Sequence, residues 1–242
     1  MIDLHCHILP ELDDGSKSIY ESLDMARLAA ESGVVGIVAT PHCYDDRTAE
    51  VRKAFYLLRD AIKEAEIPVQ LFLGMEIFGT WNTARLLSEH KLFTVNGTKY
   101  PLVEFDFTAD GEDTIMILRD LVKSKFKPIV AHPERYEFVR DNPEILNVWK
   151  DMGCLLQINR GSLLGRFGNR SLQLAFALVE RGFADVVASD AHTASVRTPW
   201  MKDVKELLES EFSAKTAEKL LVRNPLCILK NEDIPKAEPI WF

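Results

Sequence analysis

Short apolar runs alternate with amphipathic stretches along the chain. Seven of these runs have the length and the aliphatic or β-branched composition of buried strands. They cover residues 1–4, 34–39, 69–73, 100–105, 128–131, 154–158 and 185–188. Regular alternation of such runs with helical patterns is typical of repeated βα units that build a parallel sheet. The pattern therefore predicts an α/β protein.

The stretches between the runs have helical periodicity. In 18–32, Leu23, Ala26 and Ala30 recur at spacings of three and four residues, and Gly33 stands where a C-terminal cap is expected. Six further helices are predicted at 49–65, 111–125, 143–152, 171–182, 200–209 and 214–223. The pair Asn96-Gly97, flanked by strand-like residues, predicts a two-residue hairpin through which one strand enters the sheet.

The chain of 242 residues has the size of a single α/β barrel domain. We therefore predict one domain over 1–242, with residues from about 231 to 242 forming a tail packed on its surface. The composition, 47% hydrophobic and 27% charged, is that of an ordinary globular protein. A folded enzyme is favoured over a disordered or fibrous chain.

The charge and the apolar content exclude several classes of partner. A formal net charge of −8 provides no basic surplus for a phosphate backbone, so nucleic acid is not expected as a partner. No window approaches the roughly 18 apolar residues of a membrane span, and the N-terminus lacks the features of a secretory signal. Four scattered cysteines do not suggest a disulfide framework. We expect a cytoplasmic protein with no direct membrane insertion.

Histidines and acids follow the C-terminal ends of the predicted strands. His5 and His7 are two residues apart, so both side chains point to the same side while Cys6 points away; Asp190 and His192 repeat this spacing. Strand ends converge on one rim of a closed barrel. Mixed imidazole and carboxylate ligands suit Mn²⁺, Fe²⁺ or Zn²⁺. Because buried charges without partners are costly, a metal site is favoured over core packing. The residues at these ends are His5, His7, His42, Glu76, Glu104, His132, Asp190 and His192.

Cys154 and Arg160 have the Cys-x5-Arg spacing of thiol-based tyrosine phosphatases. The residues between them, 155–159, are strand-like and contain no glycine, whereas an anion cradle needs a tight loop with inward N–H groups. The spacing is therefore interpreted as coincidental. Arg160 is retained as a candidate for the rim, where it would meet an anionic substrate.

Several short motifs occur in a characteristic order. They are MIDLHCHILPELDDGS at 1–16, VATPH at 38–42, LGMEI at 73–77, AHPER at 131–135, QINRGSLLGRFG at 157–168 and ASDAH at 188–192. Over nearly the whole chain this order resembles the PHP (polymerase and histidinol phosphatase) superfamily. Within it, the chain is most similar to the manganese-dependent tyrosine-protein phosphatases of bacterial capsule and exopolysaccharide loci.

The resemblance implies a distorted (β/α)7 TIM-like barrel of the PHP fold with three divalent cations at its C-terminal rim. Mn²⁺ is expected, with Fe²⁺ or Zn²⁺ as alternatives. The first ion would be held by His5, His7, Glu76 and Asp190, the second by Glu76 as a bridge with Glu104 and His132, and the third by Asp14, His42 and His192. Asp13 is the alternative to Asp14, because adjacent acids cannot be distinguished from sequence. Arg135 and Arg197 match positions that present arginines to phosphate.

The expected reaction is phosphomonoester hydrolysis. Two cations about 3.5–4 Å apart can share a hydroxide of lowered pKa, which attacks the phosphorus in line. Arg135 and Arg197 would neutralise the nonbridging oxygens. Asp14, His42 or a metal-bound water would protonate the leaving group.

The resemblance also implies a substrate and a partner. The substrate would be phosphotyrosine on the tail of a bacterial tyrosine kinase that regulates capsular or exopolysaccharide biosynthesis. A homo-oligomer stays open. Three alternatives are a small-molecule phosphatase of the same superfamily acting on histidinol phosphate or another phosphomonoester, a metal-dependent amidohydrolase and an inactive binding module. The sequence offers no strand-end lysine to bridge two metals in an amidohydrolase, and its ligand set disfavours an inactive module.

Overall fold

The computed structural model describes residues 1–43, 47–235 and 239–242. Parallel strands run through it in the order that the apolar runs predict. The bounds of the strands are β1 Ile2–Cys6, β2 Gly36–Ala39, β3 His42–Cys43, β4 Gln70–Leu73, β5 Glu76–Phe78, β6 Leu102–Glu104, β7 Ile129–Ala131, β8 Leu155–Asn159 and β9 Val186–Ala188. All pairings between these strands are parallel, which confirms the predicted α/β class.

Two of the seven predicted strand segments, 34–39 and 69–73, are each followed by a further short strand that the sequence did not predict. β2 and β3 are separated by Thr40 and Pro41, and β4 and β5 by Gly74 and Met75. Pro41 has no N–H to donate to a ladder; its carbonyl instead accepts from the Glu76 N–H at 3.1 Å. The breaks divide the strands into one sheet ordered β1-β2-β4 and another ordered β3-β5-β6-β7-β8-β9.

The last strand is tied back to the first. The His7 N–H donates to the Ala191 carbonyl at 2.8 Å, and the Asp190 N–H donates to the His5 carbonyl at 2.9 Å. Lower in the barrel, the buried Asp3 carboxylate accepts the Ser189 N–H at 2.9 Å and the Ser189 hydroxyl at 2.5 Å. The seven segments therefore form one ring, whose C-terminal ends face the same side.

Helices cover the outside of the ring. The bounds are α1 Ile19–Glu31, α2 Thr48–Glu64, α3 Thr83–Ser88, α4 Gly111–Lys123, α5 Glu137–Asp141, α6 Ile145–Asp151, α7 Arg160–Leu163, α8 Asn169–Glu180, α9 Lys202–Glu211, α10 Ala214–Glu218 and α11 Asn224–Leu229. A π-helical turn, Lys219–Arg223, joins α10 to α11. The predicted helices are present with shifted ends, whereas α3, α5 and α7 are too short to show a period. Every helix in the described part of the chain is too short or too polar to cross a bilayer.

The ring encloses an apolar core below the rim. Leu4, Leu102, Ile129 and Val186 belong to a buried cluster of strand residues, which Ile228 and its neighbour in α11 join. A second, larger cluster lies between the strands and the surrounding helices. Aliphatic side chains fill the lower interior, so polar side chains of the ring are concentrated at the rim.

The predicted hairpin is wrong. Val95–Gly97 forms a 3-10 turn, and Asn96 has the positive φ of 50° expected of such a turn. The Thr98 N–H donates to the Val95 carbonyl at 3.0 Å and the Val95 N–H to the Tyr100 carbonyl at 2.9 Å, but residues 92–100 form no strand. The Lys99 N–H instead donates to Asn231 Oδ1 at 2.9 Å, and the Phe93 N–H faces the Met75 sulfur at 3.4 Å. The sequence therefore predicted the turn at Asn96-Gly97 correctly, but the two strands expected on either side of it are not formed.

The predicted tail is described in part. Residues 236–238 lie outside the described residues. Phe183 packs against the rings of Trp241 and Phe242, with centroid distances of 5.8 and 5.0 Å, and the Phe242 N–H donates to Asn147. The division of the chain into one domain with a tail stays a prediction.

Candidate metal centre

The sequence-predicted ligand residues come together at the C-terminal rim of the ring. Most of them are buried; the side chains that reach the surface are those of Asp14, 65% exposed, and His42, 20% exposed. Each residue lies on or just beyond a strand end, apart from Asp14, which belongs to the loop after β1. The residues are His5, His7, Asp14, His42, Glu76, Glu104, His132, Asp190 and His192.

Glu76, at the start of β5, is the centre of this group. Its Oε2 lies 3.2 Å from Nε2 of both His5 and His7 and 3.0 Å from Nδ1 of His42. Its Oε1 lies 2.9 Å from Nε2 of His132. Oε2 has no hydrogen bond of acceptable geometry in the described structure, although three imidazole nitrogens surround it. Such convergence is expected where a cation, rather than a hydrogen atom, occupies the space between the ligands.

A relay of amides fixes the tautomer of His5. Asp190 only accepts hydrogen bonds when ionised, so the Asn159 amide nitrogen donates to its Oδ2 at 2.5 Å. The Asn159 oxygen must then accept from Gln157 Nε2 at 2.8 Å. Gln157 Oε1 in turn accepts from His5 Nδ1 at 2.8 Å. The His5 proton is therefore on Nδ1, and Nε2 presents a lone pair to the centre.

Asp13 fixes the tautomer of His7 in the same way. Its Oδ2 accepts from His7 Nδ1 at 2.8 Å, and its Oδ1 accepts from the Gly15 N–H at 2.9 Å. A Cβ on Gly15 would meet the His7 carbonyl oxygen at 2.3 Å, so this close approach requires glycine. When both rings are neutral, the lone pair of His7 Nε2 then faces that of His5 Nε2 at a distance of 3.1 Å. A cation shared between the two nitrogens removes this repulsion, so the residues fit a metal ion.

The structure distinguishes the two adjacent acids. Asp14 Oδ1 lies 3.3 Å from His192 Nε2 and 3.6 Å from His42 Nε2, and these three residues group with His7 as potential ligands. Asp13 Oδ2 already accepts from His7 Nδ1 and from the His42 N–H at 2.9 Å. The geometry favours Asp14 over Asp13 as a direct ligand and gives Asp13 an orienting position.

The potential ligand groups overlap with the three expected sets. His5, His7 and Asp190 form one group, and Glu76 is within reach of both of its histidines. Glu104 differs from expectation, because its Oε1 lies closest to His42 Nδ1, at 2.7 Å, in a group with Glu76. A further group combines His5, Glu76 and His132. The position of Glu76 in several groups suits a bridging carboxylate.

Two of the candidate ligands have a left-handed backbone. His132 has a φ of 35° and Asp190 a φ of 50°. Residues other than glycine rarely adopt this region, and when they do the cost is carried by surrounding contacts, often at functional sites. The Arg135 N–H donates to the His132 carbonyl at 2.9 Å, and the Asp190 N–H donates to His5. These bonds hold both side chains at the rim.

The pKa values of the cluster show how protons and cations compete there. Burial opposes ionisation of His7, but its bonds to Asp13 and Glu76 raise the pKa to about 9. Burial and the neighbouring His7 lower the pKa of His192 to about 3. Against the effect of burial, the charge of His5 and the bonds from neighbouring histidines hold the pKa of Glu76 well below its usual range. Binding of metal ions would therefore displace protons from this cluster.

Arg135 and Arg197 lie where the resemblance implies phosphate-binding arginines. Arg135 Nη1 is 3.1 Å and Arg197 Nη2 is 2.6 Å from Asp190 Oδ2. Both guanidinium groups are partly exposed, at 19% and 31%. Their shared carboxylate keeps two positive charges at the edge of the cluster.

Sequence reasoning did not identify the supporting residues Gln157 and Asn159, or the orienting role of Asp13. Gln157 and Asn159 are fully buried in β8, two residues apart. Their signal in the sequence was a polar pair at alternate positions of an otherwise apolar strand, at the spacing of His5 and His7. Two polar residues at alternate positions near the end of an apolar strand therefore indicate a site, as they do for Gln157 and Asn159.

Arg160 is not available to an anion at the rim, which corrects the expectation. It is buried, and its Nε and Nη2 bind the two carboxylate oxygens of Asp203 at 2.7 and 2.5 Å. Its Nη1 donates to the Thr198 carbonyl at 3.0 Å. Cys154 is also buried and precedes β8, so it lies at the opposite end of that strand from Arg160.

We predict that Cys154→Ser leaves hydrolysis of a phosphotyrosyl peptide within about twofold of the unsubstituted protein. Burial raises the pKa of the Cys154 thiol to about 12, and only a thiolate is nucleophilic. Initial rates of phosphate release from the two proteins provide the measurement. A complete loss of turnover in a folded variant would instead support a thiol mechanism.

Comparison with known proteins places this centre in a described family. The family model for capsular polysaccharide synthesis, CpsB/CapC, matches residues 1–230. Tyrosine-protein phosphatase YwqE of Bacillus subtilis (strain 168) is 35% identical to the chain, over 99% of the chain and 95% of YwqE. Tyrosine-protein phosphatase CpsB of Streptococcus pneumoniae is 29% identical, over 96% of the chain and 99% of CpsB.

The similarity extends to three dimensions. A chain from the crystal structures of YwqE from Bacillus subtilis and CpsB from Streptococcus pneumoniae, reported as unique metal-dependent tyrosine phosphatases, matches with a TM-score of 0.94. It is 34% identical, and the match covers 100% of this chain and 99% of the other. The chain and this solved structure therefore share the same fold.

Proposed function

The chain belongs to the CpsB/CapC family of capsular polysaccharide synthesis, and we propose that it is a metal-dependent tyrosine-protein phosphatase. The observation that carries the proposal is the convergence of His5 Nε2 and His7 Nε2 on each other and on the buried Glu76 carboxylate. Atoms that converge in this way need a proton or a metal cation between them, and a divalent cation suits the mixed nitrogen and oxygen donors. Partly exposed arginines at the same rim provide for an anionic substrate.

The residues proposed to hold the metal are the nine rim residues that the sequence predicts. Bound divalent cations would supply a water of lowered pKa as nucleophile and neutralise charge on the phosphoryl group. Three Mn²⁺ ions are proposed, with Fe²⁺ or Zn²⁺ as alternatives, because mixed nitrogen and oxygen donors accept all of these metals. The amide relay through Gln157 and Asn159 orients His5 for this role, and Asp13 orients His7.

Protein side chains would neutralise the negative charge of the substrate phosphate. Arg135 and Arg197 would donate N–H groups to the nonbridging phosphate oxygens and so offset the charge of the transition state. Asp14 and His42 are the candidate ligands that reach the surface, which makes them the candidates for protonating the leaving oxygen. A phenolate leaves more readily than an alkoxide, so a tyrosyl ester depends least on such an acid.

The proposed substrate is phosphotyrosine on the tail of a bacterial tyrosine kinase that regulates capsular or exopolysaccharide biosynthesis. Support comes from the capsular family and from relatives named tyrosine-protein phosphatases. A cytoplasmic location is part of the proposal, because ATP-dependent phosphorylation of such a tail takes place there. A homo-oligomeric state is compatible with the proposal and is not required by it.

The test is phosphate release by the Mn²⁺-supplemented protein from a phosphotyrosyl peptide, a matched phosphoseryl peptide and histidinol phosphate. We expect kcat/KM for the phosphotyrosyl peptide to be at least about tenfold higher than for the other two, because a phenolate is a better leaving group than an alkoxide. A preference for histidinol phosphate would keep the metal chemistry and overturn the proposed substrate. No release from any ester would overturn the proposed activity.

A further inference from the structure

A cavity of about 270 Å³ opens beside the metal centre, and we call it the side cavity. It shares one wall with the centre: Arg135 lines the cavity, and its Nη1 lies 3.1 Å from Asp190 Oδ2. A group bound in the side cavity would therefore lie one side chain away from the cluster. The lining residues are Phe107, Arg135, Glu137, Arg140, Phe167 and Ser171.

Two aromatic rings keep this shared wall in place. The Arg135 guanidinium carbon lies 4.8 Å from the centroid of Phe107 and 4.3 Å from that of Phe167. Cation–π contacts on both sides, added to the ion pair with Asp190, restrict the side chain to one direction. Arg135 therefore separates the metal centre from the side cavity and contributes a positive charge to both.

Arg140 supplies a second cation and has donors to spare. Its Nη1 donates to Ser171 Oγ at 3.2 Å. Its Nε is buried and has no hydrogen-bond partner among the described residues. Glu137 is its nearest carboxylate, but Glu137 is 59% exposed and its Oε1 is 3.9 Å from Arg140 Nη2. An exposed pair at that distance contributes little, so the five N–H donors of Arg140 are incompletely used.

The first turn of α8 adds a favourable field. Ser171 is the third residue of this 12-residue helix, whose N-cap, Gly168, makes no side-chain capping bond. The N-terminal end of a helix carries partial positive charge and unsatisfied N–H groups, which favour an anion. Because Arg135 is paired with Asp190 and Glu137 is exposed, Arg140 and the helix end supply the positive potential that is available in the side cavity.

We propose that the side cavity binds an acidic side chain of the substrate peptide, with Arg140 as the residue that contacts the carboxylate. The proposal rests on the proposed phosphatase function, because it assumes a phosphotyrosine in the adjacent centre. An extended peptide advances about 3.3 Å per residue, so the acid belongs within a few residues of the phosphotyrosine. Arg140 would then determine which phosphotyrosines are preferred and would leave the chemistry unchanged.

A peptide panel tests the proposal. Glu is placed at each position within three residues of the phosphotyrosine, and each peptide is compared with its Gln counterpart. We expect about fivefold to tenfold higher kcat/KM for Glu at the best position, the effect of one partly solvated hydrogen bond between charged groups. Arg140→Gln should abolish this preference. It should leave hydrolysis of para-nitrophenyl phosphate within twofold, because that substrate carries no second anion.

Arg170→Gln is the matched control. Arg170 lies in the same first turn of α8 and pairs with Asp141, but it does not line the side cavity. Removal of its charge should keep the preference for Glu. Loss of the preference in both variants would point to a general effect of surface charge and overturn the assignment to Arg140.

Equilibrium binding provides a readout that is independent of turnover. Peptides carrying a nonhydrolysable phosphonate analogue of phosphotyrosine should bind the Mn²⁺-loaded protein about fivefold more tightly with Glu than with Gln, by fluorescence anisotropy. If the wild-type protein hydrolyses and binds both peptides equally, the side cavity proposal is wrong and the phosphatase proposal stands. If it hydrolyses no phosphotyrosyl peptide, both proposals are wrong.

Discussion

Glu76→Gln is expected to reduce kcat for phosphotyrosyl peptide hydrolysis on the order of 10³-fold while leaving the circular dichroism spectrum unchanged. The carboxylate lies among four imidazoles, with nitrogen distances of 2.9–3.2 Å. A neutral amide has nearly the same shape but removes the negative charge that the bridging position supplies. Loss of several kcal/mol of charge stabilisation corresponds to this change in rate.

Glu134→Gln is the matched control for this experiment. Glu134 is also fully buried, two residues from His132, but it does not belong to any potential ligand group among the described residues. Burial raises the pKa of Glu134, and its Oε1 accepts the Asn159 N–H at 2.9 Å, which a glutamine oxygen can also do. We expect activity within about threefold of the wild type. Equal losses of activity in both variants would indicate that replacing any buried glutamate near the rim impairs the enzyme. Such a result would contradict the specific role proposed for Glu76.

Removal of metal should abolish activity and lower the thermal midpoint by about 8–16 °C. Ligand at about 1,000 times its Kd stabilises a folded protein by about 4 kcal/mol. For a chain of this length, 1 kcal/mol shifts the midpoint by about 2–4 °C. Without a cation, the opposed nitrogens of His5 and His7 and the carboxylates around them are left buried and imperfectly paired. Calorimetry of chelated protein, before and after addition of Mn²⁺, measures the shift.

Two substitutions make this measurement specific. His7→Ala should lose most of the Mn²⁺-induced shift, because His7 belongs to two of the potential ligand groups. His90→Asn is the control: His90 is exposed, and asparagine suits its positive φ of 56°. An unchanged midpoint upon addition of Mn²⁺ to the wild-type protein would contradict metal binding at the rim.

The fold was largely predictable because its signals are local. Apolar runs of strand length gave the seven segments, and alternation with helices gave their parallel order. What failed depends on distant partners. Asn96 adopts the turn conformation that its sequence favours, but the neighbouring Lys99 bonds to Asn231, which is remote in sequence. The breaks at Pro41 and Gly74 depend likewise on how neighbouring strands meet.

The same distinction between local signals and distant partners applies to the site residues. Residues such as His5 and His7 were identifiable because a parallel ring brings strand ends together and alternation sets their direction. The sequence could not show whether Asp13 or Asp14 is the ligand. The coordinates favour Asp14, because Asp13 Oδ2 accepts a hydrogen bond from His7 Nδ1. The expectation for Arg160 was wrong for a related reason. Its partner, Asp203, lies 43 residues away, and the sequence around Arg160 does not indicate this ion pair.

The hydrogen bonds between the first and last strands determine when the metal centre can form during synthesis. His5 precedes Asp190, and His7 precedes His192, by 185 residues. The bonds from Ser189 to Asp3 span 186 residues. Contacts of such separation form late, after the intervening segments have closed. A nascent chain that has not reached His192 therefore holds an incomplete ligand set, and the metal centre is completed only after the last strand and the residues just beyond it have been synthesised.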